Sequence, residues 1–410
     1  MRTPTRSMAA NLRWTRSGTV WADWVLTGLP YGLRPVKDKY GVRALHQALF
    51  RALPGESLLL GISSGLDPAV VVGKMLDGVI LEECPEWVAE CEATLDSLDQ
   101  IGPGQRVYWL SVPLEGDRPS DRALEPFKAA TADLRDRLGL PRAPIPAHEV
   151  ERRLAQAARI AQSIPAAFTP SPATPAQMVW LHQHALRRGL FQDLDLPDST
   201  DPVTAALLIP KAGAALGEPI LDEGGQSDLS ATARVNPTTR RYLKISDTAT
   251  VGDTEPSYQT LLVISDVPDG GMVFPGSEVI GRIDESGIDV DWAMRLSIRS
   301  SAAVTTQNQR ALRNLNEQYG QRDGEISHGL NMLDRVADDL AEYVATLESD
   351  KLEVEAQATM IFAVAGPTPE TSRARARALT AFLAATGHKL ASPLGYQEEL
   401  WWARPPGVPP

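Results

Sequence analysis

The sequence predicts an α/β (α+β) chain of two mixed-sheet modules joined by a helical, proline-rich insertion. Three observations carry this expectation. Apolar and polar residues alternate with period two over Val20–Leu26, Val290–Ile298 and Leu352–Phe362, the signature of strands. Apolar residues three and four apart mark helices between them. Pro165 to Pro175 places four prolines in eleven residues, which no regular element tolerates. The divisions that follow are residues 1–145 (first module), 146–256 (insertion), 257–394 (second module) and 395–410 (tail).

Residues 1–12 are expected to fray. Val20, Ala22, Trp24 and Leu26 form a strand led in by Ser17-Gly18. Val42, Leu45, Leu49 and Leu53 mark a helix closed by Pro54-Gly55. Ser57–Ile62 is a short buried strand, Val88, Cys91, Leu95 and Leu98 share a helix face, and Arg106–Pro113 is a strand. This alternation suggests a ferredoxin-like module with parallel pairing in part of its sheet. In the insertion, Glu149–Ser163 is helical, Thr174 and Pro175 cap a helix running to Gly189, and Tyr242–Ile245 is one strand among loops expected to be partly mobile. The second module opens at Tyr258–Asp266. Ser301–Leu347 is its longest helical region, either a projecting hairpin or two helices on the sheet. Thr368 and Pro369 open a further helix that Gly387 stops, and His388–Ala391 is the last strand.

Of the 410 residues, 40 are Lys or Arg and 52 Asp or Glu, a net charge of −12. The first 53 residues carry nine basic and two acidic side chains, leaving about −19 for the rest. An acidic bulk argues against a general nucleic-acid binder. Two cysteines, Cys84 and Cys91, cannot build a disulfide framework. No signal-peptide core follows the N-terminal arginines, and no apolar run approaches a membrane span. The expectation is a soluble or peripheral chain.

Strand, long helical excursion, strand, helix and strand lead into Gly395-Tyr-Gln-Glu-Glu-Leu-Trp-Trp-Ala-Arg-Pro-Pro-Gly-Val-Pro409. This order resembles the segment before the motor domain of conjugative and type IV secretion ATPases, most closely the ATP-binding proteins of this type in high-GC Gram-positive bacteria. Residues 11–62 and 258–407 carry the resemblance. It implies an assembly and docking role in a translocation complex, in the cytoplasm at the inner face of the membrane. Protein partners, a homo-oligomer and a peripheral membrane contact fit that role; direct nucleic-acid binding does not. The phosphate-binding half is expected to be missing, so ATP and Mg²⁺ would belong only to the intact family member. Trp401 and Trp402 would pack beneath that absent domain. One indole is therefore expected to be exposed here, with residues after Arg404 disordered.

The candidate chemistry is sparse. A phosphate-binding loop needs glycines, a Lys and a Ser/Thr; Gly73-Lys74 is followed by Met75, and Pro68 stands where the first glycine belongs. Leu261–Asp266 resembles a Walker B strand but is expected to be a buried strand ending in a polar turn. Gly61-Ile-Ser-Ser-Gly65 fits the nucleophile-elbow pattern, which makes a serine hydrolase using Ser63 one alternative and a plain strand-to-helix turn the simpler reading. A free-standing interaction scaffold is the other alternative. His182 and His184, two apart on a helix, point about 200° from each other and cannot share one ion. No catalytic, cofactor or metal residue is assigned; Trp401 and Trp402 are the candidate docking residues.

Overall fold

The computed structural model describes residues 3–65, 68–101, 104–114, 130–131, 145–190, 196–197, 219–224, 241–247, 255–268, 273–276, 278–305 and 353–408, with a few positions between 313 and 347. The chain mixes helices and strands, as its patterning predicts. Strands β1 (Thr5–Ala9), β2 (Leu12–Thr15), β3 (Val20–Leu26), β4 (Glu56–Gly65) and β5 (Gly104–Leu114) precede the two-residue β6 (Ser171–Pro172). Then come β7 (Pro219–Gly224), β8 (Tyr242–Asp247), β9 (Ser257–Asp266), β10 (Asp291–Ser300), β11 (Val354–Gly366) and β12 (Lys389–Ala391). The helices are α1 (Val36–Ala52), α2 (Pro68–Leu76), α3 (Pro85–Ile101), α4 (Ala147–Ser163), α5 (Pro175–Arg187), α6 (Val279–Glu285), α7 (Pro369–Ala384) and α8 (Gln397–Trp402).

All twelve strands join one sheet, in the order β1-β2-β3-β5-β4-β10-β11-β9-β8-β7, with β6 and β12 paired to β3 and β9. Among the described residues every pairing is antiparallel, so the parallel pairs expected from helical crossovers are not formed. The crossovers exist, but a third strand enters between the strands they connect. Helix α1 links β3 to β4 with β5 between them; α6 links β9 to β10 with β11 between them.

The topology contains an internal duplication. A hairpin (β1–β2), then β3-α1-β4, the excursion α2–α3, β5, α4, β6 and α5 make the first unit. A hairpin (β7–β8), then β9-α6-β10, an excursion over 301–347, β11, α7, β12 and α8 repeat that order. Within the units the strand orders are β6-β3-β5-β4 and β12-β9-β11-β10, the same split βαββαβ arrangement twice. In each, the outer edge of the first strand is shared by the hairpin and the last strand. The segment read as an insertion thus contributes α4, β6 and α5 to the first unit and β7–β8 to the second. Most of the 301–347 excursion lies outside the described residues.

The units meet edge to edge through β4 and β10, with six registered pairs from Trp292↔Gly61 to Ser297↔Glu56. Helices α1, α4, α6 and α7 bury Leu49, Ala157, Ile283, Leu379 and Leu383 on one face of the sheet, against Trp24, Leu59, Leu110, Trp292 and Phe362. Helix α5 covers the other face of the first unit with Met178, Trp180 and Leu181 over Leu58, Leu60 and Trp109. Its end, at Leu186, crosses onto the second unit with Trp401 and Trp402, over Leu243, Leu261 and Ile361. Burying both faces of an antiparallel sheet explains why β10 reads as nearly continuous buried residues.

The N-terminus departs from expectation. Residues 5–15 form the β1–β2 hairpin, and Arg13 is buried. The tail does too. Trp401 and Trp402 are 2% and 6% exposed, and residues 405–408 lie against the hairpin, while 409 and 410 lie outside the described residues. A Cβ on Gly407 would fall 2.9 Å from Thr15 Cγ2, and Arg295 donates to the Val408 carbonyl. Both indoles are covered by Leu186 of α5 and by Leu243, Leu261 and Ile361 of the second unit, while the residues beyond them reach the N-terminal hairpin, whose packing the short, polar-rich opening does not advertise.

Candidate functional site

The site lies where the two units meet, and Asp291 at the start of β10 is its centre. Helix α5 reaches it because Thr174 and Gln177 close a reciprocal capping box at its start, at 3.2 and 3.0 Å, and Pro175 holds the first turn. Gly189 ends it with φ +73, where an added Cβ would lie 2.6 Å from the Ala365 carbonyl carbon. From this fixed rod, His184 Nε2 lies 2.8 Å from Asp291 Oδ2, and Arg188 Nε donates to the same oxygen. Arg404, just beyond α8, approaches it at 3.4 Å. The backbone N–H of Ser63 donates to Oδ1 at 2.8 Å.

Burial of Asp291 opposes ionisation, but Arg188 first, then His184 and Arg404, outweigh it and hold its carboxyl well below the usual range. Arg404 bears the opposite consequence. Its own burial and the neighbouring Arg188 lower its pKa to about 9, with Asp291 only partly offsetting them. A second layer orders the cluster: Gln259 accepts from Arg188 Nη1 at 2.6 Å and from Trp401 Nε1 at 3.2 Å, and donates to the Ala185 carbonyl at 2.9 Å. On the first unit, buried Asp23 accepts from Arg13 Nε at 3.0 Å, from Trp109 Nε1 at 3.3 Å and from the Ser111 hydroxyl. Arg13 Nη1 also reaches Thr5 Oγ1 at 2.9 Å.

A cavity of about 40 Å³ lies between these clusters, lined by the hairpin, α5 and the tail. Its polar wall comprises Thr5, Arg13, His182, His184, Arg188, Trp402 and Arg404. Both histidines line it although they leave the helix in different directions; among the described residues no group of His, Cys, Asp and Glu could hold a metal. The spacing of His182 and His184 argues only against a shared ion. Nothing in it pairs His184 with Asp291, 107 residues away, because partner choice at that distance depends on the strand order.

Ser63 does not sit on a strand-to-helix turn. Strand β4 continues through it, with Ser63 opposite Arg106 on β5. Its hydroxyl is bonded to Asp289, whose pKa burial and then Asp291 raise. Gly61, the first glycine of the pattern, makes room for Trp292: a Cβ there would lie 2.2 to 2.5 Å from the indole ring. The glycine therefore has a packing reason at the seam. Asp266 ends β9 exposed and pairs with Lys389 at 2.6 Å, as a strand running into a polar turn should. Cys91 is buried on α3, while Cys84 is exposed before it. No family model and no curated protein matches this sequence. Among the described residues no helix is long and apolar enough to cross a membrane.

Two surface patches stand out against this interior. Leu33 is fully exposed, with Val36, Tyr40 and Val273 around it, and Phe274 edge-on to Tyr40 at 5.3 Å. Arg34, Lys37 and Arg43 lie exposed around them, and Lys39 sits 4.8 Å over the Tyr31 ring. The α2–α3 excursion exposes Val70, Ile80, Leu81 and Trp87, and its fringe is Asp77, Glu82, Glu83, Glu86 and Glu90. One patch is apolar and basic, the other apolar and acidic.

Proposed function

We propose that this chain is the assembly and docking portion of a conjugation or type IV secretion-like ATPase, working at the cytoplasmic face of a translocation machine. The observation that carries the reading is the pair of exposed apolar patches of opposite charge. Contiguous exposed apolar surface marks interaction sites, and complementary charge sets register and partner choice more than raw affinity. Two different patches that fit each other form a head-to-tail contact, which generates rings or filaments rather than an isolated two-fold dimer. The partner is therefore a second copy of this chain. ATP and Mg²⁺ belong, on this reading, to a separate phosphate-loop domain.

Charge reversal tests it. Light scattering coupled to size exclusion should show concentration-dependent assembly that weakens with salt. Lys37→Glu and Glu86→Lys should each reduce association by tenfold or more, and a mixture of the two variants should restore a heterodimer that cannot grow. A monomer at all accessible concentrations, or assembly indifferent to both substitutions, removes this reading.

A further inference from the structure

The cavity between the hairpin, α5 and the tail has the chemistry of an anion site. Arg13 Nη2, Arg404 Nε and Trp402 Nε1 are buried and have no hydrogen-bond partner among the described residues, and all three belong to residues lining that one cavity. Their residues are 3%, 6% and 6% exposed. Among the described residues, other such buried donors, Trp14 Nε1 and Arg282 Nε, belong to residues that do not line it. Three residues with such donors, one from the hairpin and two from the tail, thus line one space. Buried polar groups are seldom left unpaired, and an exception calls for an explanation.

Charge makes the same case independently. Arg13, Arg188 and Arg404 are buried there against two carboxylates, Asp23 and Asp291. Asp289 does not close the gap, because it is engaged by the Ser63 hydroxyl and by Arg375 at 3.9 Å. Among the described residues no acidic side chain lines the cavity. Among the described residues one buried guanidinium charge is therefore in surplus, and a bound anion would neutralise it. A volume of about 40 Å³ exceeds the roughly 10–15 Å³ that one water needs, yet is far too small for a nucleotide.

We propose that this cavity binds a small oxyanion, of the phosphate, sulfate or carboxylate class, through the N–H groups of Arg13, Arg404 and Trp402. Guanidinium and indole N–H donors have no acceptor capacity, so they select an acceptor-rich, negatively charged guest. Because the walls come from both ends of the chain and from α5, the anion would tie the first unit's hairpin to the second unit's tail. The proposal goes beyond the assembly reading and does not depend on it.

The test uses the full chain in a non-binding buffer at ionic strength held constant with sodium chloride. Phosphate, sulfate and acetate are titrated while the melting temperature is followed, and the Trp402 indole ¹⁵N–¹H resonance is followed in parallel. The expected result is a saturable rise in melting temperature with at least one oxyanion and none with chloride, the Trp402 resonance moving with the same Kd. The acetate arm separates planar from tetrahedral guests. Arg404→Gln should weaken binding tenfold or more. Trp402→Phe, which keeps an aromatic ring and removes the donor, should weaken it about threefold to tenfold. If Arg404→Gln does not fold, Trp402→Phe and the wild-type resonance carry the test. No saturable response to any oxyanion by 20 mM (about the upper limit for a useful site), an unmoved Trp402 resonance, or unchanged affinity in Trp402→Phe overturns the proposal.

Discussion

Asp291 is the residue on which the buried charges depend. Replacing it by Asn would leave Arg188 and Arg404 facing each other without a counter-ion, and breaking a buried pair in this way costs about 3–5 kcal/mol. Urea denaturation at pH 7 should show that loss in Asp291→Asn; a change below about 1 kcal/mol would mean the cluster is not coupled as its distances indicate. The pH dependence follows from the direction of the shift. The folded carboxyl titrates below the unfolded value of about 3.9. Its contribution is therefore complete above that value and is lost as pH falls through it toward the folded pKa. Wild type should lose stability below about pH 4 more steeply than Asp291→Asn, because the variant has nothing to protonate there.

At the scale of elements, the tail is the informative case. Helix α8 is only six residues long and is held by what it covers: Trp401 and Trp402 pack edge to face with ring centroids 4.8 Å apart, each contributing about 1.5–3 kcal/mol by burial. Beyond it, Gly407 adopts φ +93 with Thr15 against its Cα. Gly407→Ala adds a left-handed alanine and a steric overlap, for an expected cost of about 1–3 kcal/mol. A thermal melt checks this, and no shift would show the tail to be only loosely seated.

Much of the element order was legible in the sequence. Alternation locates β3, β10 and β11, the stretches at 106–113 and 258–266 read as the strands β5 and β9, and capping chemistry at Thr174-Pro175 and Thr368-Pro369 places the starts of α5 and α7. What was not legible is whatever depends on distant pairing. The β1–β2 hairpin is stabilised by Asp23 and Trp109 beneath Arg13, and by the tail above it, so its own residues look like a loose end. The same holds for the site: Asp291, His184, Arg188 and Arg404 come from three separate parts of the chain, and no local spacing relates them.

The whole molecule is two copies of one topology fused along an edge, and the fusion is reinforced from both sides. Helix α5 of the first unit lies partly on the second, and the tail of the second lies on the hairpin of the first. Such interlocking argues for a single cooperative unfolding step despite the two-unit plan. Tryptophan fluorescence and far-ultraviolet circular dichroism should give coincident denaturation curves; two separated transitions would mean that the β4–β10 seam opens first. Folding should be slow for the same reason, since the contact of Ser63 with Asp291 spans 228 residues.

The contact of Gly407 with Pro4, Arg13 and Thr15 has a consequence for how the molecule is made. During synthesis the hairpin leaves the ribosome well before the residues that cover it, which are more than 390 positions later. At about 5–20 residues per second that interval is roughly 20–80 s. For that time Arg13 can pair with Asp23 but has no roof, and the basic, apolar opening of the chain stays uncovered. Completion of the seam cavity therefore waits until Gly407 has been made, and a chaperone that recognises exposed basic, apolar segments would find this one open until then and closed only afterwards.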